Sequence, residues 1–240
     1  MKINFFNKIV IVTGSNSGNG LAIAKAFSEL GAKVIRIDKK FSTKLRSEDV
    51  IFNLKNFQKI PHLISKIKKI TKKVDVLVNN AGISEQSLNP YADFKVYHKT
   101  LSVNLHSPFY LLSLLSKMMP KNSSIVQITS LGQKFGFKAN PSYQISKAGL
   151  AQLTRCAAVD FEKKKIRVNN VCPGYIKTKM TSKSFKSPKK SLERIDRTIS
   201  GRWGQPSDLV GAVLFLSSYH SSYINGTSIN VDGGWSVKGL

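Results

Sequence analysis

Tyr143 and Lys147, in the segment Pro-Ser-Tyr-Gln-Ile-Ser-Lys, are the residues of this chain best suited to chemistry. Spaced i and i+4, they share one helix face, a turn apart. A free phenol has a pKa of about 10 and carries protons poorly near neutrality. A fixed ammonium one turn away favours the phenolate and lowers that value toward the working range. Ser130 stands thirteen residues upstream of Tyr143, just after the apolar run Ser124-Ile-Val-Gln-Ile-Thr129. Its hydroxyl can hydrogen-bond a substrate oxygen beside the pair. Together the three suit proton transfer to or from an alcohol or a carbonyl. A Tyr and a Lys at this spacing are ordinarily only surface neighbours, so the pair gains its meaning from the rest of the chain.

The elements that must position it begin near the N-terminus. Lys8-Ile-Val-Ile-Val-Thr-Gly-Ser-Asn-Ser-Gly-Asn-Gly20 precedes an amphipathic stretch from Leu21 to Leu30. A short β-branched run, then glycines, then a helical pattern predicts strand, turn and helix. Gly14, Gly18 and Gly20 remove side chains where a backbone must approach a ligand. The following helix aims free N–H groups and a positive dipole end at a phosphate. The spacing is G-x-x-x-G-x-G rather than the common G-x-G-x-x-G.

With these motifs in order, the chain resembles a single-domain short-chain dehydrogenase/reductase. The family's T-G-x-x-x-G-x-G matches Thr13 to Gly20, bringing Asn16, Ser17 and Asn19 into the expected cofactor loop. Its N-N-A-G matches Asn79-Asn80-Ala81-Gly82, and its Asn within a long helix matches Asn104. Its Ser and its Y-x-x-x-K match Ser130, Tyr143 and Lys147. Its P-G followed by Thr matches Pro173, Gly174, Ile176 and Thr178 in Pro-Gly-Tyr-Ile-Lys-Thr. The resemblance runs from about residue 7 to 235. It implies hydride transfer between a nicotinamide ring and a secondary alcohol or ketone. Tyr143 would be the acid/base, and Lys147 would lower its pKa and bind the nicotinamide ribose. Ser130 would hold the reacting oxygen, and Asn104 would hold a water linking Lys147 to solvent. The resemblance also implies a homotetramer or homodimer and a substrate-covering loop over 177–202.

Departures from the family pattern lie in the cofactor half. Asn19 replaces the usual apolar residue between the last two glycines. Asn53, next to Leu54, stands where an Asp commonly faces adenine. The segment from Asp38 to Asn53 is short, which predicts a helix of only a turn or two between the second and third strands. Asp38 ends Lys33-Val-Ile-Arg-Ile-Asp, eighteen residues after Gly20, near the ~20-residue spacing of a ribose-binding acid. A carboxylate there accepts from a ribose 2′-hydroxyl and repels a 2′-phosphate, favouring NAD over NADP. Lys39 and Lys40 counter that repulsion.

The chain has 240 residues and a net charge of +25. That length fits one domain over 1–240 with a full core. No run approaches ~20 apolar residues, so no membrane span is expected. A strand and cofactor loop begin almost at once, without a signal-peptide pattern. Cys156 and Cys172 lack metal spacing and are expected to be small buried hydrophobes. His62, His98, His106 and His220 are scattered, and no metal site is expected. A soluble cytoplasmic protein follows from these points. Three readings of the charge compete: solvated lysine faces, attraction to an acidic partner or anionic substrate, and nucleic-acid binding. No nucleic-acid motif accompanies the third.

Strand-like runs fall near 8–12, 33–37, 49–52, 74–78, 124–129, 166–171 and 227–231. Helical patterns lie near 19–30, 56–71, 92–119, 142–163 and 207–218. The alternation predicts an α/β, Rossmann-like doubly wound parallel sheet of about seven strands with helices on both faces. The least regular stretch, Lys177 to Arg202, holds nine Lys or Arg and two acids. The approach Cys-Pro-Gly-Tyr-Ile and the stretch from Gly201 to Gly211 resemble sugar-acid and polyol members. The rival is a 3-oxoacyl-acyl-carrier reductase, whose acidic carrier protein suits a basic surface. A cofactor-binding scaffold or redox sensor is the reading outside enzymology.

Overall fold

The computed structural model describes residues 3–238. Seven strands form one sheet: β1 (Ile9–Thr13), β2 (Lys33–Asp38), β3 (Asp49–Ile51), β4 (Val76–Asn79), β5 (Ser124–Ile128), β6 (Arg167–Pro173) and β7 (Ser228–Val231). Their order is β3-β2-β1-β4-β5-β6-β7, and every pair is parallel. All seven predicted strands are present and the doubly wound architecture is as expected. Strands buried on both faces read as continuous Val/Ile runs, which is why they were legible.

Side chains alternate between two cores. Val10, Val12, Val34, Val76 and Val78 pack with Ile23 and Phe27 of α1 (Gly18–Glu29) and with Val213 and Leu216 of α8 (Val210–Ser217). Ile11, Ile35, Ile37, Leu77 and Ile125 face the other way. They meet Leu63 and Ile67 of α2 (Ile60–Ile70) and Leu111 and Leu115 of α4 (Ser107–Leu115). Ala157 of α5 (Pro141–Asp160) joins them. Each fully buried Ile or Leu contributes roughly 1.5–3 kcal/mol of transfer free energy. These cores set the two helix layers rigidly against the sheet.

Four expectations change. No helix links β2 to β3: residues 39–48 form bends and a turn. The chain must return by about one strand length, roughly 20 Å for six residues. Ten residues of helix rise only about 15 Å and leave none for turns. Hydrogen bonds replace the helix: Ser42 donates through its N–H and its hydroxyl to Asn16 Oδ1, both at 3.0 Å. Arg36 and Asp49 pair across the β2–β3 ladder. Second, the helix predicted over 92–119 is not uniform. α3 (Phe94–Leu101) passes into a π-helical segment, Ser102–His106, before α4. Third, the stretch over 177–202 carries two helices, α6 (Ser182–Phe185) and α7 (Pro188–Asp196). Pro188 starts α7, and Trp203 Nε1 donates to Ser191 Oγ at 2.8 Å. Fourth, Cys156 is exposed, because it lies on the outer face of α5; Cys172 is buried as expected.

Candidate active site

Four strands end at one edge of the sheet and deliver the predicted residues there. β1 leads into Gly14, β4 into Asn80-Ala81-Gly82, β5 into Ser130 and β6 into Gly174. The strand order reverses between β1 and β4, where ligands of open α/β sheets bind. The two loops at this point are locked together. Thr13 Oγ1 accepts from Asn80 N and Ala81 N, each at 3.0 Å. Asn80 Nδ2 donates to Thr13 O at 2.9 Å and Gly14 O at 3.2 Å. Gly14 adopts φ +65°, and a Cβ there would meet Ala81 Cα at 2.8 Å. A Cβ on Gly20 would fall 2.1 Å from Gly14 O. Both positions therefore require glycine, for the left-handed turn and for helix-to-turn contact.

A cleft of about 340 Å³ opens over this lock, lined by Gly14, Ser17, Gly18, Asn19, Asp38, Asn53, Leu54, Asn80, Ala81, Gly82 and Thr178. The first turn of α1 faces it without an acidic residue or a side-chain cap, so its N–H groups are free for an anion. Asp38 holds its carboxylate at the far end, accepting from Asn16 N at 3.0 Å and Lys39 N at 2.7 Å. Asn19 Oδ1 is buried without a partner. Glycines without room for side chains, free helix N–H groups and a carboxylate at the ribose spacing fit a dinucleotide. Asn16 does not line the cleft; it acts through Asp38 and Ser42. Asn53 Oδ1 accepts from Lys55 N at 3.0 Å.

A smaller cavity of about 100 Å³ continues from the cleft, lined by Ser130, Tyr143, Lys147, Pro173, Gly174, Ile176 and Thr178 among others. The Lys147 ammonium is 3% exposed and donates to Ile128 O at 2.7 Å. Burial pushes it down to about 8, against a small opposing influence of Cys172. It lies 5.8 Å from the Tyr143 ring centroid. Burial raises the Tyr143 phenol above its ordinary value, and a hydrogen bond with Ser130 opposes the rise. The expected lowering by Lys147 is not among the influences on this phenol, and burial raises it instead. Desolvation disfavours both charged forms, and the ammonium is directed at a strand carbonyl.

Asn104 is fully buried in the π-helical segment. Its Oδ1 accepts from Ile83 N at 2.9 Å, and its Nδ2 donates to Ile83 O at 2.9 Å and Ser146 Oγ at 3.0 Å. It ties the loop after β4 to α5 and does not line either cavity. A Cβ on Gly82 would lie 3.5 Å from both Asn104 Oδ1 and Lys147 Nζ, so the missing side chain leaves those two groups a shared space.

Sequence reasoning missed several neighbours. Lys99 lines the cleft and pairs with Glu85 at 2.5 Å. Phe135, Phe137 and Tyr175 pack around Trp235, and Arg194 stacks on Tyr175. These residues come from four separate segments and share no spacing, so no local pattern marks them.

The chain is similar to known proteins. The family model described as enoyl-(acyl carrier protein) reductase matches residues 14–236. The 2-dehydro-3-deoxy-D-gluconate 5-dehydrogenase of Escherichia coli K12 is 30% identical over 243 residues, 96% of each chain. The 3-oxoacyl-[acyl-carrier-protein] reductase of Thermotoga maritima is 33% identical over 241 residues, 95% of this chain and 97% of that one. The ligand-free aldohexose dehydrogenase of Thermoplasma acidophilum superposes with a TM-score of 0.92 at 30% identity, over 99% of this chain and 98% of that one.

Proposed function

The chain belongs to the short-chain dehydrogenase/reductase family and is an NAD(P)-dependent oxidoreductase acting on CH–OH groups; on that premise we propose that its substrate is a sugar acid or a related anionic polyol. The scaffold and sensor readings are set aside with that assignment. The observation that carries the proposal is the small cavity in which Ser130, Tyr143 and Lys147 meet beside the dinucleotide-shaped cleft. Relatives that act on ketogluconates support the sugar-acid reading. The basic stretch over 177–202 supports an anion as well.

A bound nicotinamide dinucleotide supplies the hydride acceptor or donor. The chain's own residues do the rest. Tyr143 takes the hydroxyl proton during oxidation and returns it during reduction. Ser130 hydrogen-bonds the same substrate oxygen and keeps it within reach of the phenol. Lys147, held by Ile128 O, places a cation beside the phenolate as that charge develops. Asn104 braces the loop carrying Gly82 against α5. Gly14, Ser17, Gly18 and the first turn of α1 would hold the pyrophosphate, and Asp38 would meet the adenosine ribose, favouring NAD. Asn53, Leu54, Asn80, Ala81, Pro173, Gly174, Ile176 and Thr178 complete the cofactor walls. The whole of 1–240 works as one domain, with 177–202 as its lid.

Reduction of a 3-oxoacyl group on an acidic carrier protein is the second reading, favoured by the Thermotoga relative's identity and by the chain's net charge. One screen separates the two. Purified protein is assayed at 340 nm with NAD and NADP against aldonates, neutral polyols and a 3-oxoacyl thioester. Turnover of aldonates above the others upholds the sugar-acid reading; turnover of the thioester alone replaces it.

The protein works in the cytoplasm as a homotetramer or homodimer. α8 is apolar around its whole circumference, with Leu214 and Phe215 only partly covered. Phe109, Ile145 and Val159 of α4 and α5 are also exposed. Light scattering that returned a monomer mass at micromolar concentration would remove this assembly.

A further inference from the structure

Seven arginines occur in the chain, and five have hydrogen-bond acceptors. Arg36 and Arg46 pair with Asp49, and Arg202 pairs with Asp208. Arg155 meets Gln152, and Arg167 donates to Leu216 O, Ser218 O and Ser221 Oγ. Among the described residues, Arg194 and Arg197 have only aromatic rings. The Arg194 guanidinium carbon lies 4.7 Å from the Tyr175 ring centroid. That of Arg197 lies 4.8 Å from the Trp235 centroid. The two rings are neighbours, with centroids 6.1 Å apart.

The same place holds two buried donors with nothing to donate to. Arg194 Nε and Trp235 Nε1 are both buried and unpartnered, and Trp235 as a whole is 6% exposed. The chain's other tryptophan, Trp203, has its acceptor in Ser191 Oγ. A buried donor left without an acceptor is costly, so two of them in one cluster favour an acceptor from outside the chain. Guanidinium and indole N–H groups are donors only, and what satisfies them is an acceptor. Two cations without counter-ions add that the acceptor is negative. An ionised carboxylate meets both demands, and its two oxygens match the arginine fork.

The cluster adjoins the reacting centre. Trp235 packs on Leu131, the residue after Ser130, and on Cys172, just before Pro173. Ser130 and Pro173, the chain neighbours of those two residues, line the small cavity. Arg194 comes from α7 and reaches the cluster through the Tyr175 ring.

We infer that Arg194 and the Trp235 indole N–H seat the carboxylate of the substrate, with Arg197 as the outer cation. This inference rests on the sugar-acid reading and specifies which residues impose it. Arg194 then determines specificity without touching the reacting carbon. The recognising side chain then belongs to α7, within the 177–202 stretch.

The test uses Arg194→Gln, Arg194→Lys and Trp235→Phe in the full chain, with unfolding midpoints measured to confirm the fold. For aldonates, Arg194→Gln is expected to lower kcat/KM roughly 10- to 100-fold, mostly through KM, as for loss of a charged hydrogen bond. Arg194→Lys should restore part of the loss, and Trp235→Phe, which keeps a ring, should lose roughly three- to tenfold. Neutral polyols should change less than about twofold. Equal losses for acids and neutral polyols would mean that Arg194 merely props the lid, and would overturn the inference. If the wild type turned over no aldonate, the sugar-acid reading would fail by itself. D-gluconate binding, followed by tryptophan fluorescence, then decides the site: saturable quenching lost in Arg194→Gln keeps it, and no quenching in the wild type rejects it.

Discussion

Lys147→Met tests the most unusual electrostatic feature of the chain. Burial lowers the Lys147 pKa from 10.5 to about 8. The sign follows from proton counting. Between pH 8 and 10.5 the unfolded chain holds a proton on this residue that the folded chain has released. Stability therefore rises with pH across that window and is flat below it. With those two pKa values, the buried ammonium costs the fold about 3 kcal/mol at pH 7.5 and about 1 kcal/mol at pH 9.5. Met keeps the length of the side chain and carries no charge. Its loss of the 2.7 Å bond to Ile128 O offsets part of the gain, but that offset hardly varies with pH. The difference in unfolding free energy between variant and wild type should thus shrink by about 2 kcal/mol from pH 7.5 to 9.5. Urea unfolding of both cofactor-free proteins at the two pH values measures it, and a common m-value secures the comparison. A gap that stayed constant between those pH values would refute the reasoning, since Lys147 would then titrate alike in both states.

Two further outcomes are expected. Asp38→Ala should raise the ratio of kcat/KM for NADP over NAD about tenfold, corresponding to about 1.4 kcal/mol; an unchanged ratio would mean that Asp38 does not face the ribose. Gly20→Ala should destabilise the fold by about 3 kcal/mol and lower Tm by roughly 6–12 °C, because its Cβ would fall 2.1 Å from Gly14 O; a wild-type Tm would show that the turn yields.

The central strands were readable as short apolar runs buried on both faces, as in Ile9–Thr13 and Val76–Asn79. The glycine loop was readable because Gly14 and Gly20 have no sterically permitted substitute. Other features depend on contacts that no spacing encodes. The π-helical segment around Asn104 reads as ordinary helix in the sequence, since its apolar residues continue the pattern of α3 and α4. The helix at Pro188–Asp196 has only Leu192 and Ile195 on its apolar side, within a lysine- and serine-rich stretch that reads as irregular. Spacing puts Lys147 one turn from Tyr143, but the burial that raises the phenol comes from tertiary packing, which spacing does not encode. Arg194 and Trp235 stand far apart in the chain and meet only through Tyr175.

Tyr143→Phe measures the central claim most directly, because it removes one oxygen and leaves the ring. Loss of the proton carrier should lower kcat by about 10²–10⁴-fold, while NAD(P) affinity and Tm stay near the wild-type values. A variant that retained more than about a tenth of wild-type kcat would contradict the assignment, since general acid–base catalysis supplies more than that.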